Sequence, residues 1–171
     1  MQTVTQRSEK PTGNFIVPTD LKREGVAQIA ESLNLLLADV FALYLKTKSF
    51  HWHISGPHFR DYHLLLDEQA AQIFAMSDDI AERIRKIDGI TLRSISDITR
   101  HQRLRDNNDI SLSATDMLTE LCSDNKKLTG FLRLTHEVCD RNGDVATASL
   151  IENWIDESER RTWFLSATLH E

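Results

Sequence analysis

The stretch HFRDYHLLLDEQAAQIFAMSDDIAERIRKID, residues 58–88, decides the fold. It reads as one long helix, stopped by Gly89. At ~100° per residue, His63, Asp67, Asp78 and Glu82 fall within an arc of about 100° on one face of it. His63 and Asp67 form an i,i+4 pair, and so do Asp78 and Glu82. Asp67 and Asp78 are eleven residues apart, roughly 16 Å at ~1.5 Å per residue. First-shell bonds to nitrogen or oxygen are only about 2.0–2.6 Å long, so one ion cannot bridge the two pairs. One chain therefore carries two half-sites. A second copy of the helix, antiparallel and related by a two-fold axis near Gln72, would set its Asp78 and Glu82 opposite His63 and Asp67.

Working outward, a first long helix precedes this one. It is capped by Thr19 or Asp20, runs to about Phe50, and repeats Val26, Ile29, Leu33, Leu36, Val40 and Tyr44 at helical spacing. Ser55, Gly56 and Pro57 break the chain between the two helices. Residues 90–112 form a long connection with a short helix over 94–101 and a polar turn over 106–109. A third helix spans 113–140, with Leu118, Leu121, Leu128, Phe131, Leu132 and Val138 as core candidates. Asn142 and Gly143 stop it, and Asp144 caps a fourth, which carries Leu150, Ile151, Trp154, Ile155, Phe164 and Leu165. No strand alternation or internal repeat appears. The expected fold is all-α: a ferritin-like four-helix bundle over 19–171, with a short extra helix in the long crossover, behind a flexible tail over 1–18.

Composition narrows the function. A net charge of −6 argues against a generally adhesive nucleic-acid binder. No apolar run approaches the ~20 residues that cross a bilayer, and residues 1–14 lack an apolar signal core. Cys122 and Cys139 make no disulfide framework and read as packing residues of a reducing, cytoplasmic compartment.

Imidazole with carboxylates and no thiolate suits iron, manganese or zinc, and excludes a Cys₄ structural zinc site. Each ligand alone would be an ordinary surface residue. The combination matters because Ala70, Ala71, Phe74 and Ala75 lie on or beside the same face, so two helices could approach closely there. Like charges buried in that contact would repel unless a cation neutralised them.

The segment Lys48-Ser49-Phe50-His51-Trp52-His53-Ile54-Ser55-Gly56-Pro57-His58-Phe59, followed by His63, Asp67, Asp78 and Glu82, resembles the ferroxidase signature of the Dps family, the twelve-subunit miniferritins of starved bacteria. Helix order extends the resemblance over about 20–170, and the stretch from Asp156 to Leu165 resembles the family's last helix. The resemblance implies a hollow dodecamer, cytoplasmic and open to nucleoid association. Its sites would lie at two-fold interfaces, with His51, His63 and Asp67 from one subunit and Asp78 and Glu82 from the next. The place of His51 in the first half-site comes from the resemblance alone. The implied reaction is oxidation of Fe²⁺ to Fe³⁺, preferentially by hydrogen peroxide, with storage of the ferric mineral and protection of DNA. Zinc or manganese could substitute at such ligands. No Glu-x-x-His occurs, which disfavours a di-iron centre inside one bundle.

Other residues keep two readings. Trp52, beside His51, either donates an electron as a catalytic residue or packs at the interface. His53 and His58 are accessory ligands or exposed polar residues. Asp140 and Asp144 are candidates for an acidic entry pore, and Asp144 is equally a helix cap. DNA coating, the alternative function, is weakly supported. The tail carries only Arg7 and Lys10 against Glu9 before Asp20, too little for strong binding at physiological salt.

Overall fold

The spacing of apolar residues along the chain becomes five helices in the computed structural model, which describes residues 16–170. They are α1 (Arg23–His53), α2 (Phe59–Lys86), α3 (Ile95–His101), α4 (Ala114–Arg141) and α5 (Val145–Thr168). No strand occurs among the described residues. The tail expected over 1–18 lies outside them except for its last three residues. Of these, Val17 donates its N–H to Asp88 Oδ1 at 2.9 Å.

The four long helices pack as a bundle. α1 lies along α2, α4 lies along α5, and α1 also meets α4, while α2 and α5 touch only sparsely. Ile29, Leu33, Leu36, Val40 and Leu43 of α1 close on Leu66, Ile73, Met76, Ile80 and Ile84 of α2. Leu118, Leu121, Leu128, Leu132, Ile151 and Leu165 complete the core from the other pair. Val26, Tyr44, Phe131, Val138, Leu150 and Ile155 are half-buried at its margin. Phe164, expected inside, is 46 % exposed.

One stretch of α1 has a mean hydropathy of 1.5, enough by length and composition to cross a bilayer. Its buried face is the core stripe of the bundle, and it carries buried Asp39 and Lys46. Both are paired: Asp39 accepts from Arg103 N and Nε at 2.6 and 2.8 Å, and Lys46 Nζ meets Glu120 and Asp124 at 2.6 and 2.7 Å. The helix is a core element here.

Helix ends follow local chemistry, with two departures. Ser94 caps α3, Ser113 forms a reciprocal capping box with Asp116 on α4, and Asp144 accepts from Thr147 N at 3.1 Å to cap α5. Gly143, at φ 73°, ends α4 in the left-handed conformation that lacks a Cβ penalty. α1, however, starts at Arg23 behind an extended Lys22, and neither Thr19 nor Asp20 caps it. Thr19 Oγ1 instead accepts from Leu21 N at 3.2 Å. At the end of α2 the left-handed residue is Asp88, at φ 67°, and not Gly89. Gly89 is required for a different reason. A Cβ there would stand 2.9 Å from both Ala30 Cβ and the Ile84 carbonyl oxygen.

Candidate metal centre

His51 sits in the last turn of α1 and His63 near the start of α2, so the break at residues 54–58 folds the two rings together. Their centroids are 3.8 Å apart and the planes differ by 22°. His51 Nδ1 lies 2.8 Å from the His63 carbonyl, and His63 Nδ1 lies 2.9 Å from the His51 carbonyl. A carbonyl only accepts, so each Nδ1 donates and carries the proton. In the neutral form of either ring the lone pair then falls on Nε2, as a metal-binding imidazole requires. The His51 carbonyl is one of those that the end of a helix leaves without an intrahelical partner.

Asp67 stands one turn beyond His63. Its Oδ1 is 3.9 Å from His51 Nε2 and 2.6 Å from Lys48 Nζ. The Lys48 ammonium holds the Asp67 carboxyl below the usual carboxylate range, with smaller help from His51 and His63. Asp67 is exposed while His51 is buried, so the three groups form a shelf at the surface. Phe59 lies 5.0 Å from the His63 ring.

Asp78 and Glu82 are exposed on α2, and Glu82 accepts from Lys86 at 2.9 Å, which lowers its carboxyl. The chain does not bring them to His51, His63 and Asp67. Among the described residues, no three His, Cys, Asp or Glu of one chain form a group that could hold a metal. The face between the half-sites carries exposed Ala71, Phe74 and Ala75, but Ala70 turns into the core at 1 % exposure. Phe74 leans on Tyr44 at a centroid distance of 4.8 Å.

Trp52 is exposed, and so are His53, whose Nδ1 lies 2.6 Å from the Ser49 carbonyl, and His58. Asp144 does not suit a pore. It is 3 % exposed and paired with Arg83 at 2.6 Å. Asp140 is exposed and lies 3.2 Å from His136 Nδ1. Cys139 is in the core, where burial pushes its thiol up to about 12, and Cys122 is half-buried. Lys48 is the site residue whose role the spacing did not reveal. Its position one turn before His51 on α1 was the available signal.

The ferritin-like domain model matches residues 30–171 of this chain. DNA protection during starvation protein 1 of Deinococcus radiodurans is 30 % identical over 151 residues, which is 88 % of this chain and 73 % of that protein. The chain belongs to the Dps family of ferritin-like proteins. The solved Dps of Thermosynechococcus elongatus superposes with a TM-score of 0.84 at 28 % identity, covering 86 % of this chain and 94 % of that one. The Dps of Vibrio cholerae, described as a member of a broad superfamily of ferritin-like diiron-carboxylate proteins, gives 0.85 at 26 % identity, covering 92 % and 100 %. The all-α, ferritin-like bundle expected from the four long helical stretches is the one observed.

Proposed function

We propose that this Dps-family chain is an iron-storing ferroxidase whose sites form between two copies. In each site, His51, His63 and Asp67 of one subunit would face Asp78 and Glu82 of the next. The observation that carries the reading is the His51–His63 pair. Both rings are locked by reciprocal hydrogen bonds, with Nε2 left as the lone-pair nitrogen beside Asp67. The diiron-carboxylate description of the Vibrio cholerae relative supports iron as the ion, and the name of the Deinococcus protein supports a role in DNA protection.

The substrate is Fe²⁺. Imidazole nitrogen suits the ferrous ion, and the hard carboxylates favour the higher charge of the ferric product. Hydrogen peroxide takes two electrons, one from each of two ferrous ions, and with two protons gives two waters. That balance releases no hydroxyl radical. Trp52, next to His51 in the chain, would supply an electron when only one ferrous ion is present. Ferric mineral would collect within a closed shell, a dodecamer by family resemblance. Zinc or manganese would bind the same donors without turnover.

The test is stopped-flow mixing of metal-free protein with Fe²⁺ and hydrogen peroxide under anaerobic conditions. Rapid oxidation at about two iron ions per peroxide is expected, as the electron balance requires. A variant with both His63→Ala and Asp67→Ala should assemble normally and lose the rapid phase. Wild-type rates in that variant would overturn the assignment.

A further inference from the structure

Away from the metal centre, the bundle buries a cation without a counter-charge. Arg161 of α5 is 1 % exposed and is among the largest side chains fully buried in the protein. Its Nε donates to Asn125 Oδ1 at 2.9 Å, its Nη2 lies 3.9 Å from Met76 Sδ, and its Nη1 reaches no acceptor on the protein. Among the described residues, no carboxylate pairs with it. Burial pulls the guanidinium down to about 10, opposed in part by Glu157, so it remains charged at neutral pH.

Two acceptors nearby are also unmatched, Gln69 Oε1 and Gln72 Oε1. The amide orientations are set by other partners. Gln72 Nε2 donates to Glu68 Oε1 at 3.0 Å, and Gln69 Nε2 to the Arg161 carbonyl at 3.4 Å. Turning either amide would set oxygen against oxygen. Both glutamines and Arg161 line one cavity of about 30 Å³ between α2 and α5, with Glu68, Arg160 and Phe164 also on its wall.

We propose that this cavity is a hydration site, in which water accepts from Arg161 Nη1 and donates to Gln69 Oε1 and Gln72 Oε1. The donor and acceptor count decides the occupant. The residues on its wall carry one unpartnered guanidinium nitrogen and two unpartnered amide oxygens, and water supplies two O–H groups and a lone pair. A halide would satisfy the guanidinium but would face both amide oxygens. A divalent cation would meet the guanidinium charge. A water needs at least ~10–15 Å³ of such space, so the cavity of about 30 Å³ has room for the bridging water. Leaving the three groups dry would cost their full desolvation. The water therefore ties the ligand-bearing helix α2 to α5, where direct contact is sparse, and keeps a positive charge in the bundle interior. That interior is where other ferritin-like proteins bind metal within one subunit. The inference does not depend on the ferroxidase reading.

Two measurements test it. A high-resolution crystal structure of the full chain, grown in bromide, should show water at about 2.7–3.2 Å from Nη1 and from both amide oxygens. An anomalous bromide peak or a dry cavity would overturn the proposal. The second is a double-mutant cycle read by thermal melting. Gln69→Leu should lower Tm by about 2–4 °C in the natural chain and by less in an Arg161→Met background, where the Gln69 Nε2 bond to the backbone carbonyl of residue 161 is still there to lose but the guanidinium end of the water bridge is already gone. Equal effects of Gln69→Leu in both backgrounds would refute the bridge.

Discussion

Lys48 places a cation on Asp67 before any metal arrives. Its ammonium, 2.6 Å from Oδ1, must leave or share the carboxylate when a divalent ion binds. The same contact keeps Asp67 ionised: its carboxyl is depressed, so the charge on this ligand is present near neutral pH and is lost only as the medium turns strongly acid. If Asp67 holds the ion as proposed, its protonation does not limit binding at neutral pH, whereas competition with Lys48 does. Lys48→Gln should raise the affinity for a redox-silent probe such as Co²⁺ by about tenfold, read by titration calorimetry, because a positive charge a few Å from a divalent ion is removed. A weaker site in that variant would mean that Lys48 positions Asp67 and does not compete for it. The candidate ligands were legible in the sequence because carboxylates and imidazoles at helical spacing are few. The proton positions on His51 and His63 were not, because they depend on carbonyls brought near by the turn at residues 54–58.

Among the elements, the buried charges of α1 hold the rest in place. Asp39 accepts from the backbone N–H groups of Arg103 and Leu104 at 2.6 and 3.1 Å and from Arg103 Nε at 2.8 Å. It thereby pins the long connection after α3 to the bundle, while the Arg103 guanidinium rests on the Phe131 ring at 3.8 Å. Asp39→Ala strands that guanidinium and two N–H groups, so it should cost roughly 3–5 kcal/mol and lower Tm by about 10 °C, seen by calorimetry. Lys46 tests a different dependence. Desolvation would lower its pKa, but hydrogen bonds and charge from Asp124 and Glu120 outweigh it, and the folded value is raised above 10.5. A raised value means that the stabilisation is complete below the unfolded pKa and is lost as pH climbs through the folded one. Urea midpoints of the natural chain should fall above pH 10.5 more steeply than those of Lys46→Met. Parallel curves would show that the pair contributes nothing. The helices themselves were legible from apolar period and from Asp144, whose cap is local, while the Ser113 capping box shows in the structure. The start of α1 was not, because Lys22 is simply extended and offers no side-chain cap. Nor was the pairing of Asp144 with Arg83, which joins residues 61 positions apart and removes Asp144 from the pore reading.

At the scale of the whole molecule, the proposed function makes each chain an incomplete site. Its two half-sites share one face of α2 but stand roughly 16 Å apart, and Leu64, Phe74 and Trp52 leave apolar surface exposed on or near that face. The proposal of two-fold pairing comes from the sequence, because separation along a helix is fixed by the chain alone. The shell comes from the family resemblance, because its other contacts depend on surfaces that no periodicity marks. The pairing makes a quantitative prediction about mixed assemblies. Take one chain with His63→Ala and Asp67→Ala, and a second with Asp78→Ala and Glu82→Ala. Assembled alone, either chain gives sites that all lack one half, and neither should oxidise iron rapidly. In a mixed two-fold dimer, one site combines both damaged halves, while the other combines the intact half of each chain. Random mixing makes about half of the dimers mixed, and half of their sites whole, so about a quarter of natural activity should return. The measurement is peroxide-driven iron oxidation after the two variants are unfolded, mixed and refolded together, against each refolded alone. If the ligands instead closed on a metal within one subunit, mixing would restore nothing.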